Sequence, residues 1–494
     1  MAATTSSSAS AVQPPSAADA APWIAGASVP AAEWRELVDP FRGDLAARVA
    51  QSGAEEVHSA VDAALRAQAE VAAMPAHARA TVLRRAADLV EGRAPSLAAS
   101  ITRQTGKALK NTLREVLRSS ATLRAAATAV ETFGGPSLVP DAAPEGEGLV
   151  ALAFRQPVGV IGAITPFNAP FNLVVHKVAP AFAAGNAIVV KPASQAPLAA
   201  IDVARLLEEA GAPVGAVNVV PGDHRTVGHI TDDERVAMFT LTGSRPAGEA
   251  LLRAAGLRRV MLELGGNSPN IVHYDAPIES AARACLAGGF SNTGQSCNSV
   301  QRIIVQRRIA GAFTARLVEL VESLVVGDPL DPATDVGTLV DEAAAERIAG
   351  WLDEATSRGA RLLTGGARKG AQLTPVVVVD APLDARIVCE EIFGPVVVIL
   401  PFDDLDEAIH QANATPFGLQ AAVFTASLDV ALRVGREVRA GAVLVNRSTN
   451  FRLDHLPYGG VKASGIGREG PAYAMQEMSD LKLLVVASGE GGAR

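Results

Sequence analysis

Between residues 158 and 264 short apolar segments alternate with amphipathic ones, and this pattern predicts an α/β protein built on a parallel sheet. Two further observations support that class. The chain has 494 residues, 49% of them apolar and only 19% charged, which is ample for a large buried core. A second run of strand and helix patterns spans residues 268–446, so α/β structure is expected well beyond the first series.

Taken in order, residues 1–22 are rich in Ala, Ser, Thr and Pro and read as a disordered tail, and residues 489–494 look equally loose. The start lacks the positive charge and continuous apolar stretch of a secretory signal. Residues 23–43 are extended. Helical periodicity covers 55–73 and 76–93, with Pro75 between them, and resumes over 97–130 with a break near Gly106. Residues 134–155 bring Gly, Pro and acidic residues into an apolar run and read as a protruding hairpin or connector. Strands are expected at 158–164, 187–191, 216–220, 236–241 and 260–264, with helices at 171–184, 198–209 and one running through Leu251. In the second stretch they fall near Ile303, Val376, Val396, Ala421 and Val443. A Gly-rich loop after Pro457, a short helix and a strand at 481–486 close the chain. No internal repeat is evident.

Composition excludes several functions. The formal charge is −8, without a long basic run, which argues against a nucleic-acid partner. The apolar runs are strand-sized, far below the ~18 residues of a helical membrane span. Three cysteines are too few for a disulfide framework, so a reducing cytoplasm and free thiols are expected, and no metal is expected.

In a parallel sheet, ligands bind beyond the carboxyl ends of the strands, so chemistry should sit just after each one. Gly465-Ile-Gly-Arg-Glu-Gly470 matches G-x-G-x-x-G but follows no strand, and reads as an ordered turn. The segment Phe290-Ser-Asn-Thr-Gly-Gln-Ser-Cys297 sets a cysteine among Gly and small polar residues, where a thiol can be lowered in pKa and reached by substrate. The ordinary alternative is a buried thiol acting as a small hydrophobe, which suits Cys285 and Cys389. Glu263-Leu-Gly-Gly266 ends a buried strand, and its carboxylate is either a general base or a strand-end charge. Asn168, in Ile164-Thr-Pro-Phe-Asn168, can donate to an oxyanion or simply form a turn. Lys191-Pro-Ala-Ser194 and Thr242-Gly-Ser244 follow strands, where they can meet ribose and phosphate or serve as surface charge and helix cap. Glu390-Glu-Ile-Phe-Gly-Pro395 places a carboxylate and a ring beside a rigid turn.

These motifs, in this order, resemble the aldehyde dehydrogenase superfamily over nearly the whole chain, from about Trp23 to Val486. The resemblance implies a Rossmann-like cofactor domain (23–133 and 156–265), an α/β catalytic domain (266–466) and a small bridging β element for oligomerisation (134–155 and 479–488). It implies that Cys297 is the nucleophile, that Asn168 and the Cys297 backbone N–H stabilise the oxyanion, and that Glu263 activates the water that hydrolyses a thioester. By the same analogy, Ile164, Thr165, Pro166, Phe167, Lys191, Ser194, Gly222, Gly243, Ser244, Leu264, Gly265, Glu391 and Phe393 bind NADP or NAD. Many NAD enzymes of the family carry Glu where Ser194 stands, so acceptance of NADP is expected.

The stretch Phe451-Arg452-Leu-Asp454-His455-Leu-Pro457-Tyr458 is similar to the lactaldehyde, phosphonoacetaldehyde and succinic semialdehyde branch, which implies a small polar or anionic aldehyde. Arg118, Lys177, Ser296 and Arg452 are the candidate substrate contacts. Succinic semialdehyde and a broad aldehyde range are alternatives. Coenzyme A as acyl acceptor is disfavoured by Glu263, and a non-catalytic binding protein by the presence of Cys297, Glu263 and Asn168 together. An unpaired apolar strand at 481–486 would be an aggregation hazard, so a homodimer or homotetramer is expected.

Overall fold

The structure, a computed structural model, describes residues 16–487. Its first sheet has eight strands, and its five central members run parallel in the order Arg259–Glu263, Val236–Thr242, Val160–Ile164, Ala187–Lys191, Val217–Val219. The chain enters at the middle strand, Val160–Ile164, builds outward on one side, then returns to build on the other. That reversal leaves a crevice beyond Ile164 and Thr242, where an open α/β sheet binds ligands.

Both faces of this sheet are covered, which is why its strands are apolar without alternation. Ile161, Val190 and Met238 pack toward the helices Ala76–Thr105, Pro170–Ala183 and Leu198–Glu209. Val160, Val189 and Phe239 pack toward the helices Ala54–Ala73 and Arg245–Ala255. Each large side chain buried in this way contributes about 1.5–3 kcal/mol.

The second sheet has seven strands in the order Arg361–Leu362, Val376–Val379, Val396–Phe402, Val300–Gln306, Ser268–Val272, Gln420–Phe424, Ala442–Val445. All neighbours but the first pair are parallel. Its fifth strand, Ser268–Val272, is one that the sequence pattern did not reveal. Ser, Pro and Asn break the apolar run, yet all five residues are buried, and Asn270 satisfies its amide on Thr449 at 3.1 Å.

Three expectations are corrected. Part of the expected tail is ordered: Ala18–Ala20 pairs in parallel with Leu45–Ala50, and residues 1–15 and 488–494 lie outside the described part. The helix expected to stop at 93 runs unbroken over Ala76–Thr105 with Pro95 inside it. It ends at Gly106, whose left-handed φ of 70° and contact with Thr338 leave no room for a side chain. The apolar run after 134–148 is no local hairpin. Its strand, Leu149–Pro157, pairs over its whole length with Ser479–Ala487 from the far end of the chain, forming a two-stranded ribbon.

Candidate active site

The carboxyl ends of the two sheets face each other across a cleft of about 560 Å³. Its walls come from strand ends, as the parallel topology dictates. Ile164, Thr165, Pro166, Phe167 and Asn168 follow one strand, and Lys191 and Ser194 the next. Gly243 and Ser244 follow the third, and Leu264 and Gly265 the fourth. Glu391, Phe393 and Cys297 reach in from the second sheet. Among the expected cofactor residues only Gly222 stands back from the wall, where its carbonyl accepts the Ser194 hydroxyl at 2.8 Å.

Cys297 sits on a loop forced into an unusual shape. Asn292, Thr293 and Gly294 all have positive φ (55°, 55° and 69°). Asn292 and Thr293 are buried and carry side chains, so this conformation is strained and is maintained by tertiary contacts. Asn292 donates to the carbonyls of Gln295 (2.9 Å) and Asn168 (3.0 Å), and Gln295 accepts from Val340 N–H (3.0 Å). The Cys297 Sγ lies 3.2 Å from the Tyr458 hydroxyl. The Asn168 side-chain amide makes no hydrogen bond to the described residues, although its own carbonyl does, and it lines the same cleft as the sulfur.

The thiol is not lowered in pKa, contrary to the expectation from its loop. Burial pushes it up to about 12, helped by the carboxyls of Glu263 and Glu391 and opposed by Tyr458 and Arg452. Glu263 is 3% exposed, and neither of its oxygens has a hydrogen-bond partner. Burial, then the neighbouring Glu469, hold it well above the ordinary carboxyl range, against the pull of Arg452, Lys177 and Arg468. Burial thus shifts both the thiol and the carboxyl toward their neutral forms.

The cleft suits a dinucleotide by the chemistry of its donors. At one end the Lys191 ammonium, 8% exposed, makes no hydrogen bond or ion pair within the described chain. Burial brings it down to about 8, opposed only by Asp223, and an anion there would repair the desolvation. Ser244 caps the helix Arg245–Ala255 and lies where a pyrophosphate meets helix-terminal N–H groups. At the other end Glu391 accepts the Gly266 N–H at 2.9 Å, and burial raises it to about 7. Phe393 meets Phe167 edge-to-face at 5.8 Å, giving two rings a flat ligand could lie against. Among the wall residues that the sequence did not single out are Asp223 and His224, at the start of a helix, and Arg347, inside one.

The four expected substrate contacts lie outside this cleft. Arg118 is engaged with Asp454 by two bonds of 2.6 Å. Lys177 is fully buried on Glu469 at 3.0 Å. Arg452 bonds Glu469 at 3.1 Å and stacks 3.8 Å over the ring of Tyr458. Ser296 is occupied in the turn, its N–H donating to the Gly294 carbonyl at 2.9 Å. His176, not anticipated, joins Asp454 at 2.9 Å and lies 3.2 Å from Arg452. His176, Lys177 and Arg452 thus form one buried charge cluster around Asp454 and Glu469, behind Tyr458 and Glu263, with the part-exposed Arg118 at its edge.

Comparison with known proteins gives the same picture. The model of the aldehyde dehydrogenase family matches residues 23–484. The 3-sulfolactaldehyde dehydrogenase of Priestia megaterium is 41% identical, covering 92% of this chain and 95% of its own length. Aldehyde dehydrogenase 21 from Physcomitrella patens, solved with the reaction product succinate, superposes with a TM-score of 0.93 at 36% identity over 96% of this chain and all of its own. The NADP-dependent glyceraldehyde-3-phosphate dehydrogenase of Bacillus halodurans, solved with NADP, gives 0.92 at 35% identity over 95% and 99%. With this likeness spanning both sheets and the cleft between them, the chain belongs to the aldehyde dehydrogenase family.

Proposed function

We propose that this chain oxidises a small anionic aldehyde to its carboxylate with NADP or NAD, using Cys297, Asn168 and Glu263. The observation that carries the reading is the convergence of Cys297 and Asn168 on the cleft that also holds Lys191, Glu391 and Phe393.

The residues divide the work. Cys297 Sγ gives its proton to water and bonds to the aldehyde carbon. The Asn168 amide and the Cys297 backbone N–H stabilise the resulting oxyanion. Phe393 and Glu391 would hold a nicotinamide, which when bound would supply the hydride acceptor that turns the adduct into an acyl group on sulfur. Glu263, once ionised, takes a proton from water as it attacks the acyl carbon, and sulfur leaves as thiolate. A buried, unpartnered carboxyl suits this task, because its raised pKa makes it a stronger base than a solvated glutamate.

Charge favours an anionic substrate. The ion-paired cluster behind Tyr458 and Glu263 sets three cations, Arg118, Lys177 and Arg452, against two carboxylates, Asp454 and Glu469. The names of the relatives, with sulfolactaldehyde and succinate among their ligands, support the same class. We assign residues 23–133 and 156–265 to cofactor binding, 266–466 to catalysis, and 134–155 with 479–488 to subunit association. Association is supported by the ribbon, whose Val150, Leu152, Leu481 and Leu483 are each more than half exposed. Among the described residues no helix is long and apolar enough to cross a membrane.

The deciding assay follows reduced nicotinamide with sulfolactaldehyde, succinic semialdehyde, lactaldehyde, phosphonoacetaldehyde and an uncharged aliphatic aldehyde. Anionic aldehydes are expected to have the highest kcat/KM, and preference for the aliphatic one would sink the substrate reading. Cys297→Ala abolishes turnover, Asn168→Ala lowers kcat about 10²–10³-fold, and Glu263→Gln retains a first-turnover burst while losing steady-state rate.

The raised thiol makes a pH prediction. Below its pKa the thiolate fraction rises tenfold per unit, so iodoacetamide inactivation of the cofactor-free protein should climb about tenfold per pH unit from 7 to 9 without levelling. A plateau beginning below pH 8 would mean that the thiol is already ionised there.

Lys191 makes another. Above its value of about 8 the ammonium is lost, so NADP binding should weaken between pH 7 and 9.5 while NAD binding holds steady. Lys191→Met should erase that difference, and parallel slopes for the two cofactors would remove Lys191 from 2′-phosphate recognition.

Sedimentation of the purified chain should give a dimer or tetramer that Leu152→Lys with Leu483→Glu converts to smaller species. A wild-type monomer at micromolar concentration would end the association reading.

A further inference from the structure

The turn after the long helix Ala76–Thr105 carries a buried charge pair that the mechanism above does not use. Lys107 and Glu115 are both buried, and their charged groups are in direct contact. Each has a second task at the same place. Glu115 Oε1 accepts the N–H of Phe171 (2.8 Å) and of Asn172 (3.2 Å), the first donors of the helix Pro170–Ala183. That helix cannot cap itself, since Ala169 at its cap position has no side-chain acceptor and Pro170 has no N–H. Lys107 Nζ donates to the Asn168 carbonyl at 2.8 Å.

The same carbonyl accepts Asn292 Nδ2 at 3.0 Å, and Asn292 also donates to Gln295 O, two residues before the nucleophile. The Asn168 oxygen therefore joins a cation from one side and the strained nucleophile loop from the other. A carbonyl has two lone pairs, and both are used. The Asn168 backbone is held between Lys107 and Asn292, while its side-chain amide is left unbonded in the cleft.

We propose that Lys107, supported by Glu115, is a positioning residue for the oxyanion donor. It fixes the Asn168 peptide in register with the Cys297 loop, so that the amide faces the site where negative charge develops. This rests on the reading of Asn168 as the oxyanion donor and goes one shell beyond it. The physical case is that a buried cation on a carbonyl is a strong, directional restraint, and that small misplacements at a reacting centre are costly.

The test is a double-mutant cycle in the full-length enzyme with its preferred aldehyde and NADP. Lys107→Met should lower kcat about 100-fold with little change in KM, in NADP Kd or in the rate of iodoacetamide attack on Cys297. Lys107→Arg should recover most of the loss. Combined with Asn168→Ala, Lys107→Met should add almost nothing, because the donor it positions is already gone. Glu115→Gln keeps an acceptor for the helix N–H groups and should give a smaller loss with the same non-additivity. It carries the test if Lys107→Met fails to fold. The proposal is overturned if kcat survives the loss of the pair, if the two losses multiply, or if NADP Kd and thiol reactivity fall in step with kcat. If Asn168→Ala itself leaves kcat unchanged, the oxyanion reading fails and this proposal with it. If Asn168→Ala is slow and the Lys107 and Glu115 variants are not, only this proposal fails.

Discussion

The site depends on backbone passing backbone at distances that admit no side chain. A Cβ on Gly266 would run into the carbonyl of Cys297, one on Gly265 into the carboxyl of Glu391, and one on Gly294 into the carbonyl of Gly394. These contacts join the end of the strand Arg259–Glu263 in the first sheet to the two loops of the second that carry the sulfur and the Phe393 ring. Gly294 also has a φ of 69°, so an alanine there would add backbone strain to the collision. Two sheets with separate cores can hold a reactive centre between them only if their strand ends are locked together, and here the lock is made of glycine. The same geometry explains why Phe393, with a φ of 53°, tolerates a left-handed backbone. The loop around it is pinned on both sides, and Gln301 holds it further by accepting the Ile392 N–H at 3.0 Å.

Burial then sets the chemistry. Removed from water, the Cys297 thiol and the Glu263 carboxyl both shift toward neutrality, while Glu469, equally buried, goes the other way. Burial alone would raise Glu469 too, but Lys177 and Arg452 are near enough to keep it charged below its ordinary range. Two glutamates in one pocket are thus separated into an anion and an acid by which of them has a cation in contact. That division is the usual way a site prepares a proton acceptor without leaving it permanently ionised. Breaking the buried Lys177–Glu469 pair by removing one partner would cost about 3–5 kcal/mol, so the assignment of charges is also built into the stability of the fold.

Much of this was legible in the sequence, and the reason is topological. A parallel sheet delivers its ligand-facing residues just after apolar runs, so Asn168, Lys191, Ser194, Gly243, Ser244, Glu263 and Gly265 could be picked out by position and type. Residues that reach the site from helices carry no such marker, which is why Arg347, Asp223, His224 and the Lys107–Glu115 pair were missed. The direction of the thiol shift was misjudged because small polar neighbours in sequence suggest exposure, whereas burial dominates over the hydrogen bond from Tyr458. The partner of Leu149–Pro157 was invisible for a related reason. Pairing between opposite ends of a chain leaves no local turn signature.

The G-x-G-x-x-G match at 465–470 shows how far such a motif can mislead, and what it does instead. It binds no strand–turn–helix crevice. Gly465–Ile466 forms a short antiparallel edge on Leu262 and Glu263, and the Leu264 N–H donates to the Ser464 carbonyl at 3.0 Å. Gly465 has a φ of 153°, and any Cβ on it would meet the Leu262 carbonyl, so close pairing with the strand requires glycine. Four residues on, Glu469 turns inward to meet Lys177, Arg452 and, at 3.3 Å, the Thr242 hydroxyl. One loop therefore holds the strand end that presents Glu263 and supplies the anion that helps raise its pKa. Its glycines serve close approach, as in a phosphate loop, but what they approach is the strand that ends in Glu263.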